Sequence, residues 1–233
     1  MKIVLTNDDG INAPGLVALA AAAQDFGEIV VIAPDRHLSG CSHQATTSGA
    51  IEIQERGPNR YAVGGTPVDC VRLALFHLAS DADVVLSGVN EGGNLGADIW
   101  FSGTVAAARE AAFFQRQAIA ISQYRRGGAK PFPIERAAGW TRAVLAPLLR
   151  QAPQPHSYWN VNLPDPPELD VACPAVVQCR ADCSPLPVSY ELREGKYHYS
   201  GNYHQRDRAA NSDVAVCFGG AISVTRVELP QWQ

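Results

Sequence analysis

The chain has 233 residues, 46% of them hydrophobic and 18% charged, and a formal net charge of −4. That is globular composition, with material for one large α/β domain or a domain with an appendage. It carries no basic run and no apolar stretch near the roughly 18 residues of a membrane span, so neither a nucleic-acid polymer nor a membrane is an expected partner.

The N-terminal apolar stretch is too short for a signal h-region and runs straight into acidic residues, so a cytoplasmic location is expected. The six cysteines contain no CxxC pair. Cys173, Cys179 and Cys183 follow no common zinc spacing, and reduced thiols are the expectation.

In chain order, Lys2 to Thr6 is a short β-branched run stopped by Asn-Asp-Asp-Gly, which predicts a strand and a turn. Ala13-Pro14-Gly15 opens an alanine-rich helix through about Asp25, with Pro14 in the first turn, where a missing N–H costs nothing. Glu28 to Ala33 is a second buried strand, and this strand–helix–strand order predicts parallel pairing. Residues 35–50 form a loop rich in donor and coordinating side chains, followed by short strands at 51–53 and 61–63. A helix from about Val68 to Leu78, a strand at 83–86 and a glycine-rich loop at 87–96 come next. Ser102-Gly103-Thr104 opens a helix to about Phe114, and a strand follows at 118–122. Beyond a Gly/Pro linker at 125–133 lie a helix to about Arg150 and a strand at 158–163. The remainder is proline-rich, with short strand-like pieces at 175–179, 190–192 and 196–199 and a final strand at 221–228. The predicted fold is α/β: a Rossmann-like, mostly parallel sheet with helices on both faces over residues 1–163. Residues 164–233 form a β-rich C-terminal extension.

In an open parallel sheet, ligands bind outside the carboxyl ends of the strands. Asp8 and Asp9 follow the first strand, Ser39 lies in the loop after the second, and Asn90 and Asn94 follow the strand at 83–86. Two carboxylates, a hydroxyl and an amide oxygen are hard ligands, suited to Mg²⁺, Mn²⁺ or Ca²⁺ rather than zinc. Two adjacent carboxylates repel unless a cation offsets them. Ser102, Gly103 and Thr104 precede a helix, so their hydroxyls and the free first-turn N–H groups suit phosphate oxygens.

Four ordered motifs, LTNDDG-x3-PG (5–15), APDRxxSG (33–40), GTPxDCV (65–71) and SGVNxGxNLGxDIxxSGTVAAAxE (87–110), resemble the stationary-phase survival protein SurE family of 5′/3′-nucleotidases. Agreement is weaker at 118–122, 160–164 and 222–225, and the family's Gly-Tyr-Val before SVTP is Gly-Ala-Ile here, with Arg226 in place of the proline. The resemblance implies a Rossmann-like fold, one divalent metal cation, and hydrolysis of nucleoside monophosphates to nucleoside and phosphate, with short polyphosphate as a side substrate in some members. It carries the metal ligands onto Asp8, Asp9, Ser39 and Asn90, and places Asn94, Ser102, Gly103 and Thr104 near the bound phosphate. It also implies a homodimer or homotetramer formed through the C-terminal extension.

In the mechanism this suggests, Asp8 and Asp9 hold the cation and one of them orients or deprotonates the attacking water. Ser102, Thr104 and the helix N-terminus would stabilise the phosphoryl oxygens, and His43 is a candidate leaving-group acid. Rival readings fare worse. A dehalogenase-type phosphatase needs Asp-x-Asp where the chain has Asp8-Asp9-Gly10, and a dinucleotide-binding oxidoreductase needs G-x-G-x-x-G after the first strand. A ligand sensor without turnover would keep the pocket alone.

Overall fold

The computed structural model describes residues 1–127, 130–166 and 172–230. Parts of the 125–133 linker and of the early extension therefore lie outside the described residues. Strands β1 (Lys2–Thr6) and β2 (Glu28–Pro34) flank helix α1 (Pro14–Ala23), and the hairpin β3 (Ile53–Glu55) and β4 (Arg60–Val63) follows. Helix α2 (Pro67–Leu73) continues as a π-helical turn over Ala74–Leu78. Then come β5 (Val84–Glu91), a 3₁₀ turn at Gly96–Trp100, α3 (Gly103–Phe113), β6 (Gln117–Gln123), α4 (Ile134–Leu149) and β7 (Ser157–Leu163). The extension contributes β8 (Val176–Gln178), β9 (Tyr190–Arg193), β10 (Lys196–Tyr199), a short helix α5 (Asp213–Phe218) and β11 (Ile222–Glu228).

A nine-stranded sheet runs β3-β4-β2-β1-β5-β6-β7-β11-β8. From β4 to β7 every neighbouring pair is parallel. Because β2 lies on one side of β1 and β5 on the other, the strand order reverses between β1 and β5, which places a ligand crevice at their carboxyl ends. Helices α1 and α4 cover one face through Leu16, Leu19, Trp140, Val144 and Leu145. Helices α2 and α3 cover the other through Val68, Val71, Val105 and Ala108. Such a sheet is buried on both sides, which explains the continuous apolar runs in β1, β2 and β5.

The strand read at 83–86 is longer than its sequence suggests. β5 continues through Gly88 to Glu91, with Asn90 pairing to Ser122 and Glu91 to Gln123 after a register shift. Ladder pairing to β6 overrides the turn propensity of Ser-Gly-Val-Asn, so Asn90 sits on a strand end rather than in a loop. Within the extension, β11 pairs antiparallel with β7 and β8 pairs parallel with β11, so the extension finishes the core sheet. The β9–β10 hairpin forms a separate two-stranded sheet.

Candidate active site

The turn after β1 is fixed by Asn7, whose side-chain amide donates to the Gly10 carbonyl at 3.0 Å and whose Oδ1 accepts the Gly10 N–H at 3.2 Å. Gly10 has φ +101°, a conformation glycine adopts without a Cβ penalty. This turn presents Asp8 and Asp9 at the crevice. Asp8 is 4% exposed and accepts a hydrogen bond from the Thr104 hydroxyl. Its backbone carbonyl accepts the Leu38 N–H at 2.8 Å, tying down the loop after β2. Asp9 accepts the Glu91 N–H at 3.2 Å and lies 3.3 Å from His37 Nδ1. The other ring nitrogen, His37 Nε2, is 2.6 Å from the Ser39 hydroxyl. The loops after β1 and β2 and the end of β5 thus converge, together with the start of α3. Asp9, His37, Ser39, Glu91 and the α1 start Ala13-Pro14-Gly15 line a cavity of about 430 Å³.

The electrostatics follow from burial. Burial pushes the Asp8 carboxyl up, against the Thr104 hydrogen bond. Asp9 is pushed up to about 6, first by burial and then by the charge of Asp8. His37 is the only basic side chain within ion-pair distance of either carboxylate among the described residues, and it is largely exposed. A pair of buried like charges with so little compensation fits a bound cation. Among the described residues no group of three or more His, Cys, Asp and Glu side chains is placed to hold a metal. A site here needs neutral oxygens as well, which is the chemistry of Ser39 and Asn90. The Asn90 amide nitrogen is committed to the Gly92 carbonyl at 2.8 Å, which orients its Oδ1 as the remaining donor.

At α3, Ser102 is the N-cap and accepts the Val105 N–H at 3.1 Å. The Ser102 and Thr104 hydroxyls, expected to face phosphate, are therefore engaged inside the protein. The groups α3 leaves for an anion are the first-turn N–H groups, including those of Gly103 and Thr104, which have no intrahelical acceptor. A Cβ on Gly103 would stand 2.7 Å from Cys41 Sγ and 2.9 Å from Asp8 Cβ, so this helix start meets the aspartate at backbone range only as glycine. The Cys41 thiol is pushed up to about 11 by burial and by Asp8, which keeps it protonated and a poor nucleophile.

The family model for survival protein SurE matches residues 3–182. The chain belongs to the SurE family. It is 46% identical over 231 residues to a Nostoc protein that carries a provisional 5′-nucleotidase name, covering 98% of this chain and all of that one. It is 37% identical to the 5′-nucleotidase SurE of Geobacter sulfurreducens over 98% of this chain and 88% of that protein. The crystal structure of the SurE protein from Aquifex aeolicus superposes with a TM-score of 0.86 at 30% identity, covering all of this chain and 95% of that one. These matches bear out the resemblance drawn from the motifs and the α/β fold.

Other residues hold this edge of the sheet in place. Asn94 is buried: its N–H donates to Asn162 Oδ1 at 2.8 Å and its side chain to Ser122 Oγ at 2.7 Å. Its carbonyl accepts from Asn160 at 2.8 Å and Asn162 at 3.0 Å. The loop from Asn94 to Ser102 is also clamped by the extension. Arg206, with a fully buried side chain, pairs with Asp98 at 2.8 Å and donates to the Leu95 carbonyl at 3.2 Å. The Tyr203 hydroxyl donates to Asp98 at 2.6 Å, and Asp213 accepts the Gly96 N–H at 2.8 Å. His43 does not fit the role of leaving-group acid. Its Nδ1 accepts from Arg109 at 2.9 Å and its Nε2 is 2.8 Å from Glu110, so both ring nitrogens are committed. Burial pushes Glu110 up, but hydrogen bonds from His43 and Arg72 outweigh it and hold the carboxyl below its ordinary value. The histidine at the site is His37.

Proposed function

We propose that this protein is a divalent-metal-dependent 5′-nucleotidase that hydrolyses nucleoside monophosphates to nucleoside and phosphate. The observation that carries the reading is the Asp8–Asp9 pair, Asp8 buried and Asp9 at the cavity edge, with little compensating charge and set against a helix N-terminus where the strand order reverses between β1 and β5. The names of the SurE relatives support the same reaction class. Asp8, Asp9, Ser39 and Asn90 would hold the cation, which when bound supplies Lewis acidity toward a phosphoryl oxygen. The first turn of α3, at Ser102, Gly103 and Thr104, would accept the remaining phosphoryl oxygens on its N–H groups, held in register by the Thr104–Asp8 hydrogen bond. Asn94 supports that turn from the buried amide cluster. Asp9 lines the open cavity, whereas Asp8 is sealed by Thr104 and Gly103; Asp9 is therefore the carboxylate that meets the attacking water and takes its proton.

This anchor grips the phosphoryl group itself, so the reading includes 3′-monophosphates and, as a side activity, short polyphosphate. The exposed β9–β10 hairpin supports a homodimer or homotetramer built through residues 164–233. Six free cysteines suit a reducing, cytoplasmic setting, and no described helix is long and apolar enough to cross a membrane. The test is phosphate release from AMP and GMP with added Mn²⁺, repeated in excess chelator. Metal-dependent release supports the reading, and undiminished release in chelator overturns it.

A further inference from the structure

A second cavity lies along the same carboxyl edge of the sheet, outside β6 and β7. It has a volume of about 500 Å³ and is lined by Arg125, Lys130, Phe132, Arg136 and Asp165 together with Pro131, Pro133 and Pro166. Its floor is apolar: Phe132 packs against the core cluster that includes α4. Its rim is polar. Arg136 pairs with Asp165 at 3.3 Å and stacks over Trp140.

One ion pair separates this cavity from the catalytic one. Glu91 lines the catalytic cavity, gives its N–H to Asp9, and holds Arg125 through its carboxylate at 2.9 Å. Arg125 in turn lines the second cavity and donates to the Lys130 carbonyl at 2.5 Å. Glu91 and Arg125 therefore link the end of the crevice at Asp8, Asp9 and the start of α3 to the second cavity along this face of the sheet.

We propose that the Phe132 cavity is the nucleoside subsite, taking the base against the Phe132 and proline faces with Arg125, Lys130 and Asp165 reading its polar edge and the ribose. This inference rests on the phosphomonoesterase reading and adds what selects nucleotides among phosphate esters. The chemistry matches: a planar heterocycle gains about 1–3 kcal/mol from stacking on an aromatic ring, and apolar clefts of roughly 300–1,000 Å³ with a few polar groups are the usual form of small-molecule sites. The catalytic cavity is lined by Asp9, Ser39, Glu91, the His37 imidazole and the small Ala13-Pro14-Gly15 start of α1, with no phenyl, phenol or indole ring, so it offers the base a smaller stacking surface.

The experiment compares wild type with Phe132→Ala and with Phe132→Leu, which keeps apolar volume under α4 while removing the ring. Turnover of AMP is measured beside turnover of ribose 5-phosphate, which has the phosphoester but no base. Binding of adenosine, which has the base but no phosphate, is measured calorimetrically without metal. Both variants are expected to lower kcat/KM for AMP about 5- to 100-fold through KM, the range that loss of one stacking contact gives. Ribose 5-phosphate turnover is expected to stay within about twofold of wild type, a difference well under 1 kcal/mol, and adenosine binding to weaken in parallel with AMP. Equal losses on both esters, or adenosine binding unchanged by either substitution, overturns the subsite. Wild type that turns over neither ester with Mn²⁺ overturns the phosphomonoesterase reading instead, and the adenosine titration still reports on the cavity.

Discussion

The carboxyl edge between β1 and β5 and the β9–β10 hairpin are built on opposite terms. At the edge, Asp8 and Asn94 are buried, Asp9 is half-buried, and each meets named partners from elements distant in sequence. In the hairpin all eight strand residues are exposed, among them Tyr190 at 59%, Leu192 at 63%, Tyr197 at 75% and Tyr199 at 57%. A lone two-stranded hairpin is marginal in water, and contiguous exposed aromatic and aliphatic side chains mark a surface for another molecule. One region is packed by this chain's own folding; the other leaves its strand side chains exposed. The lesson is that burial separates residues held by distant parts of the chain from residues left open to solvent.

The strongest way to break that contrast is at the aspartates. Asp8→Ala and Asp9→Ala are each expected to lower metal-dependent phosphate release by at least about a thousandfold while leaving the circular dichroism spectrum and fold intact, in line with loss of a metal ligand and its proton acceptor. Full activity in either variant refutes the assignment. Next in size is the clamp between extension and edge. Arg206→Ala leaves the partly buried Asp98 without its charge partner, and truncating one member of a buried pair costs up to about 3–5 kcal/mol. A large drop in melting temperature is expected, with kcat falling in the protein that remains folded; an unchanged melting temperature argues that the clamp is decorative.

A smaller effect sharpens the electrostatic side of the comparison. Asp9 titrates at about 6 in the folded protein against 3.8 for the free side chain, so the fold holds its proton more tightly than the unfolded chain does. The metal-free protein therefore carries no penalty from Asp9 below about pH 4 and loses on the order of 2–3 kcal/mol as pH rises through 6. Added Mn²⁺ relieves that penalty, so its stabilising shift in melting temperature is expected to be larger at about pH 7.5 than at about pH 5. A shift that is the same at both values removes Asp9 from the cation site. The smallest effect on chemistry belongs to the hairpin. Leu192→Ser with Tyr197→Ser is expected to lower the oligomeric state in sedimentation while changing kcat per chain less than about threefold, under 1 kcal/mol. A drop in kcat as large as that of Arg206→Ala shows that assembly and site are one unit.

Much of the edge was legible in the sequence because parallel strands deliver their following loops to one side. The strand–helix alternation alone puts Asp8, Asp9, Ser39 and Asn90 after parallel strands, and the structure brings Asp9 and Ser39 to one cavity. Where local propensity met tertiary pairing, pairing won: Gly88 and Asn90 read as a turn, yet β6 draws them into β5. The clamp was hidden because Arg206 and Asp98 lie 108 positions apart and no periodicity connects them. His43 and His37 look alike in a loop; only Arg109 and Glu110, reaching across from α3, show that the first is occupied. The pattern Asn160-Val161-Asn162 was a missed signal, since polar residues inside an otherwise apolar buried strand need partners, and theirs is Asn94. Helix α5 was also missed, although Ser212-Asp213 before Val214, Cys217 and Phe218 has the capping residue and the three- and four-residue spacing of a short amphipathic helix.

Helix α3 carries a consequence for how this site tolerates change. Ala106, Ala107, Ala108, Ala111 and Ala112 are all at most 1% exposed, on every side of the helix. A helix so thinly clad lies close to the sheet and to α2, and its first turn inherits that placement. Adding even a methylene group about one turn away at Ala107, or about two turns away at Ala111, would lever the Gly103 end outward, at about 1–3 kcal/mol in packing. The larger loss would be in alignment, because catalytic geometry degrades over fractions of an ångström. The smallness of these side chains is therefore a mechanical specification: they act as shims that set where the phosphoryl group rests.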